Sequence, residues 1–86
     1  MQVVFRTGGR TTFNVEAPEG VLETAKAAPD WRAACLDIFD AADVVTMTWN
    51  GAGASLTSSS RIVTDRAAAR WRVLEGLADG LLPMQG

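Results

Sequence analysis

An Asn-Gly pair directly after a β-branched run is the feature of this sequence that most restricts its fold. Residues 44–49 alternate as a strand does, and Asn50-Gly51 follows them. Both residues tolerate the positive φ of a type I′ turn, so the pair predicts a tight β-hairpin centred on it. The register pairs apolar residues on one face: Trp49 with Ala52, Met47 with Ala54 and Val45 with Leu56. The other face of this hairpin is rich in Thr and Ser and is expected to face solvent.

Another hairpin is predicted around Gly8-Gly9, between residues 2–6 and 11–15. A two-residue turn would divide its apolar side chains between the two faces, whereas a three-residue loop that includes Arg10 keeps them together. We therefore expect the longer loop. Such loops usually have Gly third, where Arg10 stands here, and a β-bulge would relieve that conflict. The expected pairs are Phe5 with Phe13 and Val3 with Val15.

Two helices are predicted between the hairpins, with Pro29 separating them. Pro18 suits the first position of the earlier helix, and Pro29 disfavours its continuation. Asp30 is a good N-cap for the later helix, which is expected to run to about Ala42. The apolar arc of that helix contains Trp31, Cys35, Ile38 and Ala42, with Leu36 and Phe39 beside them.

A third helix is predicted after the Asn-Gly hairpin, with Thr64 as its N-cap and Gly80 as its stop. The element order ββ-α-α-ββ-α predicts an α+β fold, in which two β-hairpins form an antiparallel sheet with helices packed on one face. We assign residues 1–83 to a single α+β domain and residues 84–86 to a short C-terminal tail.

The third helix is expected to face the core with one apolar stripe. This stripe contains Ala67, Trp71, Leu74 and Ala78.

The charge of the chain is unevenly distributed along its length. The 86 residues carry a net charge of −2. Residues 1–13 contribute +2, residues 14–43 contribute −5 and residues 44–86 contribute +1. An acidic middle segment is therefore the main global indication of a partner, and it favours a basic one.

The sequence offers little for catalysis. It contains no histidine and one cysteine, which removes the commonest general base and any thiolate metal cage within the chain. Cys35 lies on the apolar face of its helix, as an inert core thiol does. The glycine turns join strand to strand, whereas phosphate-binding loops lead into a helix. We expect no enzyme activity, no cofactor and no metal site.

The candidate partner-binding residues lie in the acidic segment and on the second helix. Acidic side chains there would complement a basic surface, and ordinary solubilising charge is the alternative. Leu36 and Phe39 widen the apolar arc of their helix, and Leu81 and Leu82 follow the last helix. For both pairs, contact with a partner and docking onto the chain's own core are open alternatives. The candidate set is Glu16, Glu19, Glu23, Asp37, Asp40, Leu36 and Phe39.

The leading hypothesis is a non-catalytic protein-binding module that acts as a stoichiometric inhibitor, adaptor or regulator of a larger partner with a basic surface. One version is a phage-type inhibitor of a nucleic-acid-handling defence complex. The alternative is a small self-associating structural protein, such as a homodimer. A weak nucleic-acid binder using Arg61, Arg66 and Arg70 is a further alternative, less favoured because so few phosphates would be neutralised.

The expected location is the cytoplasm. No apolar run approaches the roughly 18 residues that cross a bilayer, so we expect no membrane insertion. The first residues lack the features of a secretory signal, and a solitary cysteine forms no internal disulfide.

Overall fold

The structure, a computed structural model, describes residues 1–50 and 58–86. These residues form an α+β fold in the expected order ββ-α-α-ββ-α, followed by one short additional strand. The elements are β1 (Gln2–Arg6), β2 (Thr11–Glu16), α1 (Val21–Ala27), α2 (Trp31–Ala41), β3 (Thr46–Asn50), β4 (Ser58–Ile62), α3 (Arg66–Ala78) and β5 (Met84–Gln85).

The strands form one sheet in the order β4-β3-β2-β1-β5, and each neighbouring pair is antiparallel. The helices pack on one face of the sheet, which buries the inward-facing side chains of the central strands. Residues 84–86 were expected to form a tail, but Met84–Gln85 pair with β1 and so extend the sheet. The inward-facing side chains of β1 and β2 are Val3, Phe5, Phe13 and Val15.

The predicted register of the first hairpin is confirmed. Phe5 lies opposite Phe13 and Val3 lies opposite Val15, so a three-residue loop connects β1 to β2. The Thr7 hydroxyl closes this loop by donating to the Thr11 carbonyl oxygen at 2.6 Å. Within the described ranges, positive φ occurs only at Gly20 and Gly80. The loop therefore forms without the left-handed residue that such loops usually have at the third position.

The predicted register of the second hairpin is wrong. Trp49 lies opposite Ser59, and Met47 lies opposite Arg61, rather than opposite Ala52 and Ala54. Asn50 ends β3 and lies opposite Ser58, whereas Gly51 of the proposed turn and the rest of residues 51–57 lie outside the described residues. Pairing of β3 with residues 58–62 is favoured because the Val63 N–H then donates to the Val45 carbonyl oxygen at 2.8 Å, and α3 follows directly. As an edge strand, β4 also tolerates its polar composition.

The helix boundaries agree with their capping residues to within a few positions. Asp30 caps α2 as expected, since its carboxylate accepts from the Ala33 N–H at 3.3 Å. Asp65, rather than Thr64, caps α3 in the same way. The first helix begins at Val21 instead of Pro18, because Gly20 adopts φ 80° and serves as its N-cap.

The core stripe predicted for α3 is wrong, although its expected stop at Gly80 is confirmed. Trp71 is 65% exposed, and a different face packs on the sheet. Gly76 explains the choice of face: a Cβ at this position would collide with the Arg6 carbonyl oxygen of β1. The helix approaches β1 this closely at Gly76 because glycine has no side chain. The buried residues of α3 are Ala69, Val73, Gly76 and Leu77.

Candidate protein-binding groove

A groove of about 350 Å³ lies between α1 and α2, where β2 ends. Its floor is apolar, because both helices present alanines on this side and their short side chains leave the space between the helices unfilled. Glu16 and Asp37 stand beside this apolar surface. Thr24 is a further polar lining residue, and the apolar floor residues are Ala17, Pro18, Val21, Ala25, Ala28, Ala34, Ile38, Ala41 and Ala42.

Acidic side chains gather at the β2 end of the groove. Glu16 is the last residue of β2, and it also lines a neighbouring groove that Asp43 shares. The Met1 amino group lies 3.5 Å from a Glu16 carboxylate oxygen and 3.9 Å from one of Glu19. Both carboxylates remain at least 80% exposed, so water or a partner reaches them. Glu16, Asp37 and Asp43 line the two grooves, and Glu19 lies outside them but shares the Met1 amino group with Glu16; we call these four residues the acidic rim.

The structure does not bring all the predicted acidic residues together. Glu23 is exposed on α1 but does not line the groove. Asp40 lies on the flank of α2 that faces α3, where it accepts from Arg70 Nε at 2.9 Å and from Nη2 at 3.3 Å. Asp37 and Asp40 are separated by about 60° around the helix axis. That angle directs Asp37 toward the groove and Asp40 toward α3.

Leu36 and Phe39, predicted as partner-binding residues, belong to the core. Leu36 is 8% exposed and Phe39 is 1% exposed. The Phe39 ring packs nearly perpendicular to Phe5 and Phe13, with ring centroids 5.7 and 6.4 Å away. Edge-to-face packing of this kind stabilises the core. At these exposures neither side chain offers a surface to a partner, and both pack within the chain's own core.

The arginines proposed as a nucleic-acid surface are largely engaged within the chain. Arg66 donates to the carbonyl oxygens of Ala42 at 2.7 Å and Phe39 at 3.1 Å, which satisfies the C-terminal end of α2. Arg70 forms the ion pair with Asp40. Arg61 lies over the Trp49 ring, 5.5 Å from its centroid. These contacts use the guanidinium groups for tertiary structure.

Cys35 has the environment predicted for a core thiol. Its side chain is fully buried, and this burial raises the pKa of the thiol, with a smaller opposing effect from the Lys26 charge. A raised pKa keeps the thiol protonated and unreactive. Across residues 1–50 and 58–86, no group of three or more potential metal-ligating side chains is present.

The floor of the groove has a signal in the sequence that was not among the predicted features. Val21, Ala25 and Ala28 on α1 repeat at helical spacing, and Ala34, Ile38 and Ala41 repeat in the same way on α2. Two facing stripes of small residues predict a shallow apolar channel. The convergence of the acidic rim had no comparable signal, because it depends on where β2 ends relative to α2.

Among the described residues, no helix combines the length and the apolar character needed to cross a bilayer.

Comparisons with protein-family models, curated proteins and solved structures find no match to this chain. Its function is therefore inferred from the surface of the molecule itself.

Proposed function

We propose that the protein is a non-catalytic binding module that receives a basic, partly apolar segment of a larger protein partner in the groove between α1 and α2. Such binding would make it a stoichiometric inhibitor, adaptor or regulator. The observation that carries the proposal is an apolar floor bordered at one end by the acidic rim. This combination differs from a solubilising surface, in which charge is not joined to a concave apolar patch.

The two parts of the groove would contribute in different ways. Burial of apolar side chains on the floor stabilises a complex by about 25 cal/mol for each Å² removed from water. The exposed carboxylates contribute mainly to the association rate and to the orientation of a basic segment. A volume of about 350 Å³ is at the lower end of the range for ligand pockets, roughly 300–1,000 Å³. We therefore expect the groove to receive a few side chains of the partner.

A nucleic-acid-handling complex is one class of partner consistent with this surface. Proteins that bind phosphate backbones carry clusters of Lys and Arg, which would attract the acidic rim. The apolar floor favours contact with a protein segment over mimicry of a phosphate row, because phosphate mimicry requires only charge. An inhibitor of this kind would bind beside the partner's basic groove and insert apolar side chains as well.

Direct binding of nucleic acid by this protein is less well supported. Arg66 and Arg70 already bind groups within the chain, which leaves Arg61 of the proposed set. One arginine neutralises too few phosphates for appreciable affinity at physiological salt.

Selection from a displayed library of random peptides tests the proposal without knowledge of the partner. We expect the selected peptides to combine Lys or Arg with large apolar residues, and their binding to weaken as salt rises. The double variant Glu16→Gln/Asp37→Asn should weaken this binding about tenfold or more, since charged pairs contribute about 1 kcal/mol or more in such contacts.

The control variant is Glu23→Lys, which changes the net charge by the same two units at an exposed position outside the groove. It should leave peptide affinity within about twofold of wild type. Selected peptides without basic residues would contradict the proposal. So would equal losses of affinity in the double variant and in Glu23→Lys.

A further inference from the structure

The two edges of the sheet differ in what they offer to another strand. At one edge β5 contains only two residues, whereas β4 at the other edge contains five. Within residues 1–50 and 58–86, no strand pairs with the outer side of β4. The sequence of β4, Ser-Ser-Ser-Arg-Ile, lacks the proline and lysine that commonly protect natural edge strands. The edge at β4 is therefore the one that can accept a further strand.

The bond between Val63 and Val45 identifies the main-chain groups of β4 that point outward. In an antiparallel pair, opposite residues alternate between pairs that exchange hydrogen bonds and pairs that do not. The Val63 N–H donates to the Val45 carbonyl oxygen, and Val63 continues the register of β4 on β3. By this alternation Arg61 also bonds to β3, whereas the N–H and C=O groups of Ser60 and Ile62 point away from the sheet. These groups are aligned to pair with an added strand.

A groove of about 420 Å³ lies beside this edge, between β4 and the first half of α3. Its floor is apolar and partly open, since Met47 and Val63 pack against the core without being fully buried. Two exposed arginines line it, Arg61 on the strand and Arg72 on the helix. The other lining residues are Phe13, Ile62, Thr64, Asp65, Ala68 and Ala69.

Neither arginine of this groove has a carboxylate partner in the described part of the chain. The ion pairs there involve the Met1 amino group and Arg70. Arg61 lies over the Trp49 ring, which positions its guanidinium without using a carboxylate. Asp65, the acid among the lining residues, already caps α3. The groove therefore presents two guanidinium groups beside an apolar floor, and this surface complements an acid that stands between apolar residues.

We propose that the β4 edge and this groove together bind an extended acidic segment of a partner protein, which adds to the sheet as a further strand. Strand addition derives its affinity from main-chain hydrogen bonds and its specificity from pockets for alternate side chains. Here the outward groups of Ser60 and Ile62 would supply the main-chain bonds. The groove would receive the inward-facing side chains of the segment.

The register of β4 predicts the sequence pattern of that segment. Ser59, Arg61 and Val63 share the inner face of the sheet, because side chains alternate along a strand. An acid opposite Arg61 would accept from its guanidinium and, across the groove, from that of Arg72. Apolar residues two positions before and after the acid would pack on the floor. The pattern apolar-x-acid-x-apolar reads the same in both directions, so it fits either chain direction.

The charge of Arg61 also determines which segments the edge rejects. An inward-facing charge commonly protects an edge strand from unspecific pairing. A segment with a basic residue opposite Arg61 would meet a like charge, and an apolar residue there would cover the guanidinium without pairing it. A second copy of β4 carries no acid, so we expect no self-association through this edge. The proposal is independent of the groove between α1 and α2, which takes a segment of opposite charge.

A capped nine-residue peptide tests the proposal, with Val-Thr-Glu-Thr-Val at its centre and Gly-Ser at each end. We expect binding in an NMR titration, with amide hydrogen exchange slowed at least about tenfold at Ser60 and Ile62. Exchange at Arg61 should not change, because its N–H already bonds to β3. Lys in place of the central Glu should weaken binding at least about tenfold. No binding at millimolar peptide would overturn the proposal, as would binding that leaves Ser60 and Ile62 unprotected.

Two matched pairs of variants test the edge and the groove separately. Ser60→Pro removes the outward N–H, a change that an edge strand tolerates, and should weaken binding at least about tenfold. Ser60→Ala keeps the N–H and should bind as wild type does. Arg72→Met should weaken binding about fivefold or more, whereas Arg6→Met removes the same charge from β1, two strands away, and should stay within about twofold.

Equal effects within either pair of variants would overturn the proposal. The exchange measurement uses the wild-type protein, so it holds even if Ser60→Pro fails to fold. Peptide selection on a folded Ser60→Pro variant reports on the groove between α1 and α2 alone, which keeps the tests of the two surfaces separate.

Discussion

The helices α2 and α3 each present an apolar arc with a large aromatic side chain, yet only one of these arcs is buried. On α2 the arc enters the core, where Phe39 packs against Phe5 and Phe13. On α3 the arc containing Trp71 faces outward, and a face of smaller residues packs on the sheet instead. The comparison shows that hydrophobicity alone did not select which helix face is buried.

The distance between each helix and the sheet explains the difference. Phe39 needs space above the sheet, so α2 packs through large side chains. Gly76 lies against the β1 backbone, where even a methyl group would collide with the Arg6 carbonyl oxygen. A Trp71 side chain on that face would have held α3 away from β1. Side-chain volume at the point of closest approach therefore selected the buried face.

Truncation of the two aromatic residues should give the largest contrast between the helices. Phe39→Ala should lower the free energy of unfolding by about 3–5 kcal/mol, because it leaves a cavity between two rings. Trp71→Ala should change it by less than about 0.5 kcal/mol, as expected for an exposed position. Urea unfolding at low protein concentration measures both values. Similar losses for the two variants would mean that the assignment of the buried face is wrong.

Substitution of Gly76 should give the next largest effect. Gly76→Ala should be destabilising by about 1–3 kcal/mol, because the collision with the β1 backbone outweighs the higher helix propensity of alanine. Gly9→Ala is the control, since a Cβ there meets nothing within 4 Å and Gly9 does not have positive φ. Thermal unfolding should show a lower Tm for Gly76→Ala alone. A higher Tm for Gly76→Ala would contradict the close approach of α3.

Removal of the Arg66 guanidinium tests the connection between the two helices. Arg66→Met keeps most of the side-chain stem but removes the donors to Ala42 and Phe39. We expect a loss of about 1.5–3 kcal/mol and faster hydrogen exchange in the last turn of α2. Arg72→Met, at an exposed position of α3, should leave both measurements near wild type. Unchanged exchange in Arg66→Met would show that the end of α2 does not depend on α3.

The buried thiol of α2 should give the smallest effect, visible only at alkaline pH. Burial raises the pKa of Cys35 in the folded protein, whereas the thiol of an unfolded chain has a pKa of about 8.5. The stability that comes from this shift is complete below the unfolded pKa, and it is lost as pH rises through the folded pKa. Urea unfolding should show this alkaline decline in wild type and not in Cys35→Ala. An equal decline in both proteins would assign it to other groups.

Local chemistry made several features predictable. The alternation of Val3, Phe5, Phe13 and Val15 identified the correct loop length, because any other register would have exposed part of this set. Asp30 was recognised as an N-cap because capping requires only neighbouring residues. The burial of Cys35 followed from its position in the apolar arc of α2.

Other features depended on contacts between distant residues. The Asn-Gly signal is local, whereas the register of β3 with β4 is set by the need to bring Val63 beside Val45 and then to start α3. Asp37 and Asp40 are equivalent in the sequence pattern, but in the fold Asp37 lines the groove and Asp40 forms an ion pair with Arg70. On the helix alone, Leu36 and Phe39 widen the apolar arc beyond one packing face, whereas in the folded chain both pack within the core.

By itself the sequence determined the α+β class, the first hairpin and its register, and the cap of α2, since these features follow from alternation and from bonds between near neighbours. Only the tertiary structure decided which face of α3 is buried and where the acidic side chains meet. The helical spacing of α3 allows two faces, and the approach of Gly76 to the backbone of β1 selects between them. The acidic rim exists because β2 ends beside α2, a position that no local interaction specifies.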